Sequence, residues 1–200
     1  MFDPLPVLCL VFLGIASWQD IKEREISDFT WIMSIPTAIA IYALSSRDFV
    51  QLIPGAVIVI AAYLMARTGL MGEADPLGIA LVVLSFSWPV AGIPAYFPVF
   101  ILSLLCELGA FASLVWKKDN TGAPAAFTYR VKKDQLGLVW LPRLDDGNYA
   151  FDLRDPRSMK ELIDEAKKRI PGESVWASPA LPYMPFLLAA AAVFLVVAWG

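Results

Sequence analysis

The sequence predicts an all-α polytopic membrane protein with six transmembrane helices and a small cytoplasmic α/β insert between helices 5 and 6. Of its 200 residues, 58% are hydrophobic and only 18% are charged, whereas a soluble domain of this length carries more charge. The charges form small groups up to Trp116, are dense from Lys117 to Glu173, and are absent after Ser178. We therefore predict a membrane region at 1–116, a polar insert at 117–178 and a last membrane helix at 179–200.

The apolar runs are assigned as spans in chain order: Leu5–Trp18, Phe29–Leu44, Phe49–Ala66, Pro76–Ala91, Ala95–Trp116 and Pro179–Trp199. Several are shorter than the roughly 20 residues that a span needs, so we expect flanking residues and local bilayer thinning to compensate. The linkers SSRD and AGIP predict hairpins between neighbouring helices. The first run follows MFDP, which has no basic residue, and predicts a retained membrane helix, not a cleaved signal peptide.

The basic residues predict the orientation in the cell membrane. With the N-terminus outside, Lys22, Arg24, Arg67 and the whole insert lie on the cytoplasmic side, and only Arg47 lies outside. Four tryptophans lie at the predicted inner boundaries, as in an aromatic belt: Trp18, Trp31, Trp116 and Trp176. In this topology the loops after the first and third spans share the cytoplasmic face.

The composition excludes several kinds of site. The chain has no histidine, which excludes histidine-based acid–base catalysis and imidazole metal sites. Cys9 and Cys106 both lie in apolar runs, and no C-x-x-C pair occurs. The net charge of -3 is too small to indicate a nucleic-acid partner. We therefore predict no metal, no cofactor and no nucleic acid.

The first charged group, in SWQDIKEREISDF, contains an aspartate in an unusual position. Asp20 lies close after Trp18, on the last turn of an apolar helix. The helix macrodipole disfavours an anion at that end, so the carboxylate is raised in energy unless it is protonated or paired. The following charges, from Lys22 to Glu25, are typical of a solvated hairpin tip. Asp20 is therefore a candidate functional residue.

The second charged group, in RTGLMGEADPLGI, contains Asp75 directly before Pro76. Gly69 and Gly72 indicate a loop that leads into a new helix. Asp75 is predicted to be the N-cap of that helix with Pro76 at its first position, and capping alone is a sufficient reason for an aspartate here. Because two spans separate the two charged groups, Asp20 and Asp75 reach the same face and can be brought together by helix packing.

A pair of carboxylates at this boundary predicts a reaction type. Two such groups cannot both ionise easily, so one keeps a proton and the pair contains an acid and a base. The pair can activate water against an amide carbonyl and protonate the leaving nitrogen. The chain has no G-x-S-x-G motif and no lysine within a predicted membrane core. Aspartyl peptidase chemistry is thus the hydrolytic mechanism that this chain best allows.

Two motifs carry a resemblance to a known family. QDIKEREISDFTW resembles a first inner loop with an aspartate, charged residues and Arg-Glu-Ile, and GEAD resembles the looser form of a G-x-G-D loop. Together with the layout of six spans and a late insert, they resemble archaeal type IV prepilin peptidases, in particular preflagellin (prearchaellin) peptidases of the G-x-G-D aspartyl class. The motifs cover about two dozen residues, and it is their combination on one membrane face that is specific.

The resemblance implies an endopeptidase that removes a short basic leader from archaellin or type IV pilin-like precursors at the cytoplasmic face. Asp20 and Asp75 would be the catalytic pair, and Gly72 and Ala74 would let the loop backbone approach the precursor. The family often has a lysine where this chain has Leu77. Bacterial relatives also carry paired cysteines and methylate the new N-terminus; neither feature is visible here, so the predicted activity is peptidase only.

Other interpretations remain open at this stage. A small cation channel or transporter subunit could use Asp20, Asp75 and the deep Glu107, and in an inactive scaffold the motif aspartates would only cap helices. Glu107 is equally well explained by an interhelical hydrogen bond. The acidic side chains Glu23, Glu25 and Glu73 could attract a basic leader. The predicted partners are the precursor protein and the lipid bilayer. The sequence does not determine the oligomeric state.

The insert is predicted to contain two or three strands and one helix. AAFTYRV alternates, LGLVWL is a short apolar run, and DDGN precedes YAFDL. A helix is predicted after Asp155 as cap and Pro156 at its first position. Its apolar stripe consists of Met159, Leu162, Ile163, Ala166 and Ile170. The stripe predicts a small unit packed on itself, or alternatively a surface that docks on the inner leaflet or the leader.

Overall fold

The computed structural model describes residues 3–45, 47–67, 72–116, 118, 120–124, 127–137, 139–144, 150–151 and 158–199. Contacts divide the chain into two compact units, one made of Met1–Asp20, Ile26–Cys106 and Tyr183–Gly200, the other of Ile21–Glu25 and Glu107–Pro182. Several predicted features lie outside the described residues: Gly69, Lys117, the DDGN turn at 145–148, and the helix start at Asp155 and Pro156.

The chain is mostly helical with a small sheet region. Its elements in chain order are α1 (Pro4–Glu23), α2 (Asp28–Leu44), a 3₁₀ turn (Phe49–Gln51), α3 (Leu52–Arg67), α4 (Asp75–Ser85), β1 (Pro89–Val90), β2 (Ile93–Pro94), α5 (Tyr96–Val115), β3 (Tyr129–Lys132), a second 3₁₀ turn (Lys133–Gln135), β4 (Trp140–Arg143), α6 (Met159–Arg169), β5 (Ser174–Pro179) and α7 (Tyr183–Trp199). Among the residues that the structure describes, three segments are long and apolar enough to cross a membrane: α1, the first 3₁₀ turn with α3, and α5. Helices α2, α4 and α7 are apolar but shorter, so the structure supports a membrane protein without establishing all six predicted spans.

Three predicted span boundaries differ from the ends of the helices. Helix α1 continues past Trp18 to Glu23. The fourth run is helical only to Ser85, because the chain then forms the β1–β2 hairpin. Its two turn residues, Ala91 and Gly92, have φ of 51° and 84°, as a two-residue hairpin turn of type I′ requires. The last helix begins at Tyr183 and not at Pro179, because residues 174–179 form strand β5.

Helix α4 is the centre of the first unit. It packs against α2, α3 and α7, and most of its eleven residues are buried. Two glycines allow close packing. A Cβ at Gly78 would lie 2.7 Å from both Sδ and Cε of Met184 in α7, and a Cβ at Gly55 of α3 would overlap the Val83 side chain. Small residues at helix contacts are typical of membrane bundles.

The end of α4 at Ser85 is closed by an arginine whose side chain is mostly buried. Arg47 donates from Nη1 to the carbonyl oxygens of Leu84 at 3.1 Å and Ser85 at 3.4 Å, and to Ser87 Oγ at 3.1 Å. Its Nη2 forms an ion pair with Asp3, and the guanidinium lies 5.6 Å from the centre of the Trp88 ring. Burial lowers the pKa of Arg47. An arginine nevertheless stays protonated in proteins, so this is a fixed charge and not a free loop residue.

The second unit contains a three-stranded antiparallel sheet in the order β3–β5–β4. Leu162, Ile163 and Ala166 of α6 are almost fully buried, and Ile163 belongs to the core that the sheet forms. Three of the five residues of the predicted stripe are therefore covered within their own unit and are not available for docking on a leaflet or a leader.

The sheet also corrects the predicted aromatic belt. Trp18 and Trp116 are exposed, but Trp31 and Trp176 are only 5% and 9% exposed. Trp31 lies in the buried face of α2, and Trp176 lies on the central strand β5 opposite Arg130. These two tryptophans are core residues because the elements that carry them are covered on that side.

Candidate functional site

Asp20 lies on the buried face of α1. The buried residues of this helix follow a helical spacing through Leu5, Cys9, Leu13 and Ala16, and Asp20 is next in the same stripe, with 8% of its surface exposed. Residues at this helical spacing lie on one face of the helix. Because the other members of the stripe face the bundle, the Asp20 side chain faces it too.

The Asp20 carboxylate lies at the start of another helix. Its Oδ2 accepts a hydrogen bond of 3.2 Å from the backbone N–H of Met184, the second residue of α7. That N–H is one of the first four of a helix, which have no partner within it, and the positive end of the α7 dipole faces the carboxylate. The unfavourable position of Asp20 at the end of α1 is therefore offset by α7.

Gln19, next to Asp20, holds the turn between α1 and α2. Its Oε1 accepts a hydrogen bond of 3.1 Å from the Ser27 N–H and another of 3.2 Å from Thr30 Oγ1. Ser27 is also the N-cap of α2, where its Oγ accepts from the Phe29 N–H at 3.3 Å. The end of α1 that carries Asp20 is thus tied to the start of α2. The sequence interpretation did not identify Gln19 in this role.

Asp75 is the first residue of α4 and not its N-cap. Ala74 occupies the cap position and has no side chain that could accept a hydrogen bond. The half-buried Asp75 carboxylate instead accepts a bond of 2.9 Å from the Gly72 N–H, outside the helix, and its own N–H donates to the Gly72 carbonyl at 3.2 Å. The predicted N-cap assignment is wrong by one residue, because Ala74 already has helical backbone angles.

Gly72 fits tightly against this carboxylate. A Cβ built on Gly72 would lie 3.0 Å from Asp75 Oδ2 and 3.3 Å from its Cγ, closer than ordinary contact. Gly72 does not have a positive φ, so the requirement for glycine here concerns space and not backbone angle. The neighbouring Glu73 is exposed and Ala74 is half-buried.

Met184 connects the surroundings of the two aspartates within the first unit. Its backbone N–H bonds Asp20, and its side chain packs where Gly78 leaves room on α4. Gly78 lies three residues after Asp75, one helical turn along α4. The first turn of α7 therefore contacts both α1 at Asp20 and α4 one turn from Asp75. The sequence signal for Met184 is weak, since a backbone donor leaves no side-chain signature.

The other candidate residues have less specific surroundings. Leu77, two residues after Asp75, is 38% exposed. Glu107 is half-buried on α5 in the second unit, and no hydrogen bond or ion pair joins it to another described residue. No group of three or more metal-ligating side chains occurs in the part of the chain that the structure describes.

Comparison with known proteins decides the family. The sequence model of the type IV leader peptidase family matches residues 7–114, which is more than half of the chain. The chain belongs to this family. The range contains Asp20, Gly72, Ala74 and Asp75 and stops before the sheet of the second unit. Searches of curated proteins and of solved structures give no match.

Membership in the type IV leader peptidase family fixes the broad function. A protein of this family acts as a leader peptidase on a precursor protein, and the apolar helices identify it as a membrane protein. The peptidase interpretation is thereby favoured over the channel or transporter subunit. The part of the chain outside the family match, including Met184, still contributes a hydrogen bond to Asp20.

Proposed function

We propose that the protein is an aspartyl endopeptidase that removes the basic leader from archaellin or type IV pilin-like precursors, with Asp20 and Asp75 as its catalytic pair. The observation that carries the proposal is the position of Met184, which bonds Asp20 and packs against α4 one turn from Asp75. The buried Asp20 lies on α1 and the half-buried Asp75 lies on α4, and α7 contacts both helices. This arrangement suits two carboxyl groups that share one proton.

The proposed reaction follows from the inventory of the site. One carboxylate is ionised and takes a proton from a water molecule, which attacks the carbonyl carbon of the peptide bond. The other carboxyl group donates its proton to the leaving amide nitrogen as the carbon–nitrogen bond breaks. After cleavage the carboxylate that took the proton from water is protonated and the other carboxyl group is ionised. The pair therefore again holds one proton, as before the reaction. The Gly72–Ala74 segment has small side chains, which lets a precursor backbone approach Asp75.

The proposed location of the reaction is the cytoplasmic face, with the N-terminus outside. Two observations support this orientation. The basic residues Lys22, Arg24 and Arg67 share one predicted side. The single basic residue on the other side, Arg47, is buried and paired with Asp3, so it adds little to the charge of that side.

The test is cleavage of a tagged archaellin or pilin precursor by membranes that contain the wild type, Asp20→Asn or Asp75→Asn. Asparagine keeps an oxygen that can accept the N–H of Met184 or Gly72 but cannot act as an acid or a base. We expect cleavage by the wild type and a loss of at least a thousandfold in either variant. Mass spectrometry of the product N-terminus identifies the bond that is cut.

The matched control is Asp28→Asn, an exposed aspartate at the start of α2. It removes the same charge from the first turn of α2 and is expected to leave cleavage unchanged. Each variant is also tested for membrane insertion and thermal melting, so that misfolding is separated from lost chemistry. Substantial cleavage by a folded Asp20→Asn or Asp75→Asn variant would rule out the catalytic pair.

A further inference from the structure

A cavity in the second unit has the chemistry of an anion-binding site. It has a volume of about 390 Å³ and lies between the sheet and the end of α6. Three arginines from three different elements line it: Arg130 of β3, Arg143 of β4 and Arg169 of α6. No carboxylate is among its described lining residues. A cavity of this size is in the range of small-molecule sites.

Neighbouring groups in the second unit hold the arginines in place. The Arg130 guanidinium carbon lies 4.8 Å from the centre of the Trp176 ring, and the two residues are paired across β3 and β5. Arg143 Nε donates to Ser178 Oγ at 2.5 Å, and Ser178 is buried. Arg169 is paired with Glu165 one turn earlier on α6. Side chains that are already oriented lose less entropy when they bind a ligand.

We propose that this cavity binds the phosphate group of an anionic phospholipid. A guanidinium matches the oxygens of a phosphate with two parallel hydrogen bonds, and stacking on an aromatic ring leaves its edge N–H groups available. The site lies outside the range of the family match and does not depend on the proposed peptidase activity.

Two observations favour a lipid over a free phosphate ion. The cavity has apolar walls, including Leu144, Ile170 and Val175, which suit the organic part of a headgroup. The second unit is also attached directly to apolar helices at both ends, since it begins within α5 and stops one residue before α7. A unit attached in this way stays close to a bilayer, where anionic headgroups are concentrated.

The experiment uses the purified full-length protein in a neutral detergent. Binding of short-chain phosphatidylglycerol, short-chain phosphatidylcholine and soluble glycerol phosphate is measured by native mass spectrometry and by the shift in melting temperature. The variant is Arg130→Gln. Arg130 is exposed, so this position tolerates substitution. The matched control is Lys132→Gln, an exposed base on the same strand outside the cavity lining.

We expect phosphatidylglycerol to bind the wild type at least tenfold more tightly than phosphatidylcholine. Arg130→Gln is expected to lose about tenfold in affinity for phosphatidylglycerol, and Lys132→Gln to bind as the wild type does. Equal loss in both variants would show only a general charge effect and would overturn the site. Tighter binding of glycerol phosphate than of the lipid would overturn the lipid assignment, and no binding of either would overturn the proposal altogether.

Discussion

The two ends of α4 are built in opposite ways. At the end near Ser85, which we call the arginine end, one side chain closes the helix with several bonds: Arg47 binds the carbonyl oxygens of Leu84 and Ser85, and also Asp3. At the beginning, which we call the aspartate end, Asp75 follows a short glycine-containing loop and is half-buried. Both ends carry charge, and at the arginine end a mostly buried guanidinium forms an ion pair with Asp3.

This difference indicates a division between stability and chemistry. A buried guanidinium with hydrogen bonds to two carbonyl oxygens and an ion pair is satisfied, and removing it leaves those groups without partners. A carboxylate that reacts must instead exchange protons with water and substrate, so it needs access. The arginine end therefore determines where the helix stops, and in the proposed function the aspartate end is where the precursor binds. The two ends are expected to respond differently to substitution.

Arg47→Ala is expected to have the largest effect on stability. It removes the partner of Asp3 and of the carbonyl oxygens at the end of α4. Each partly buried group left without a partner costs about 1–3 kcal/mol. The measurement is the free energy of unfolding of the purified protein in detergent. Arg67→Ala is the control, because Arg67 is exposed at the end of α3. Equal stability of the two variants would contradict the structural role of Arg47.

Gly78→Leu tests the contact that relates the two aspartates. The new side chain meets Met184, whose sulfur lies only 2.7 Å from the position of a Cβ. Overpacking of this kind costs about 1–3 kcal/mol, and cleavage is expected to fall because the first turn of α7 moves away from α4. Unfolding and precursor cleavage are both measured.

Two further substitutions serve as the control and the rescue for Gly78→Leu. A Cβ at Gly14 of α1 meets nothing within 4 Å, so Gly14→Leu is expected to change neither quantity. Met184→Ala, added to Gly78→Leu, removes the clashing side chain but keeps the backbone N–H that bonds Asp20. Recovery of stability in the double variant is the expected result, and its absence would show that the contact is not the cause.

Local patterns allowed much of this fold to be predicted, but contacts between distant residues were not accessible. Apolar runs located α1, α2, α3 and α5, and Pro76 indicated the start of α4 to within one residue. The last span was predicted to begin at Pro179, but Pro179 is the last residue of strand β5 and the helix begins only at Tyr183. Hydrophobicity cannot distinguish a buried strand from a short span; the pairing of β5 with β3 and β4 decides it.

The candidate site shows the same limit. The unfavourable position of Asp20 at the end of α1 was visible in the sequence, because a helix dipole has a known direction. Its partner was not visible, since the Met184 N–H is a backbone group 164 residues away. For Asp75, the proline that follows suggested the N-cap position, and the helical angles of Ala74 shift the cap by one residue. The geometry that relates the two residues comes from α7, for which no motif exists.

Gly72→Ala is expected to have the smallest effect on stability and a specific effect on activity. The added methyl group would lie 3.0 Å from Asp75 Oδ2, so the carboxylate must shift by a few tenths of an ångström. A displaced catalytic group loses transition-state stabilisation, and we expect kcat to fall about tenfold, which is about 1.4 kcal/mol. The free energy of unfolding is expected to stay within about 0.5 kcal/mol of the wild type, as for most exposed sites.

The matched control for Gly72→Ala is Gly109→Ala, because a Cβ at Gly109 meets nothing within 4 Å. Kinetics with a fluorescent precursor peptide separate kcat from KM for both variants. A displaced Asp75 lowers kcat, whereas a loop that merely binds the precursor less well raises KM. Unchanged kcat in Gly72→Ala, with normal cleavage by Gly109→Ala, would mean that the bond from the Gly72 N–H does not position a reacting carboxylate. The aspartate end of α4 would then be another structural helix terminus, like the arginine end.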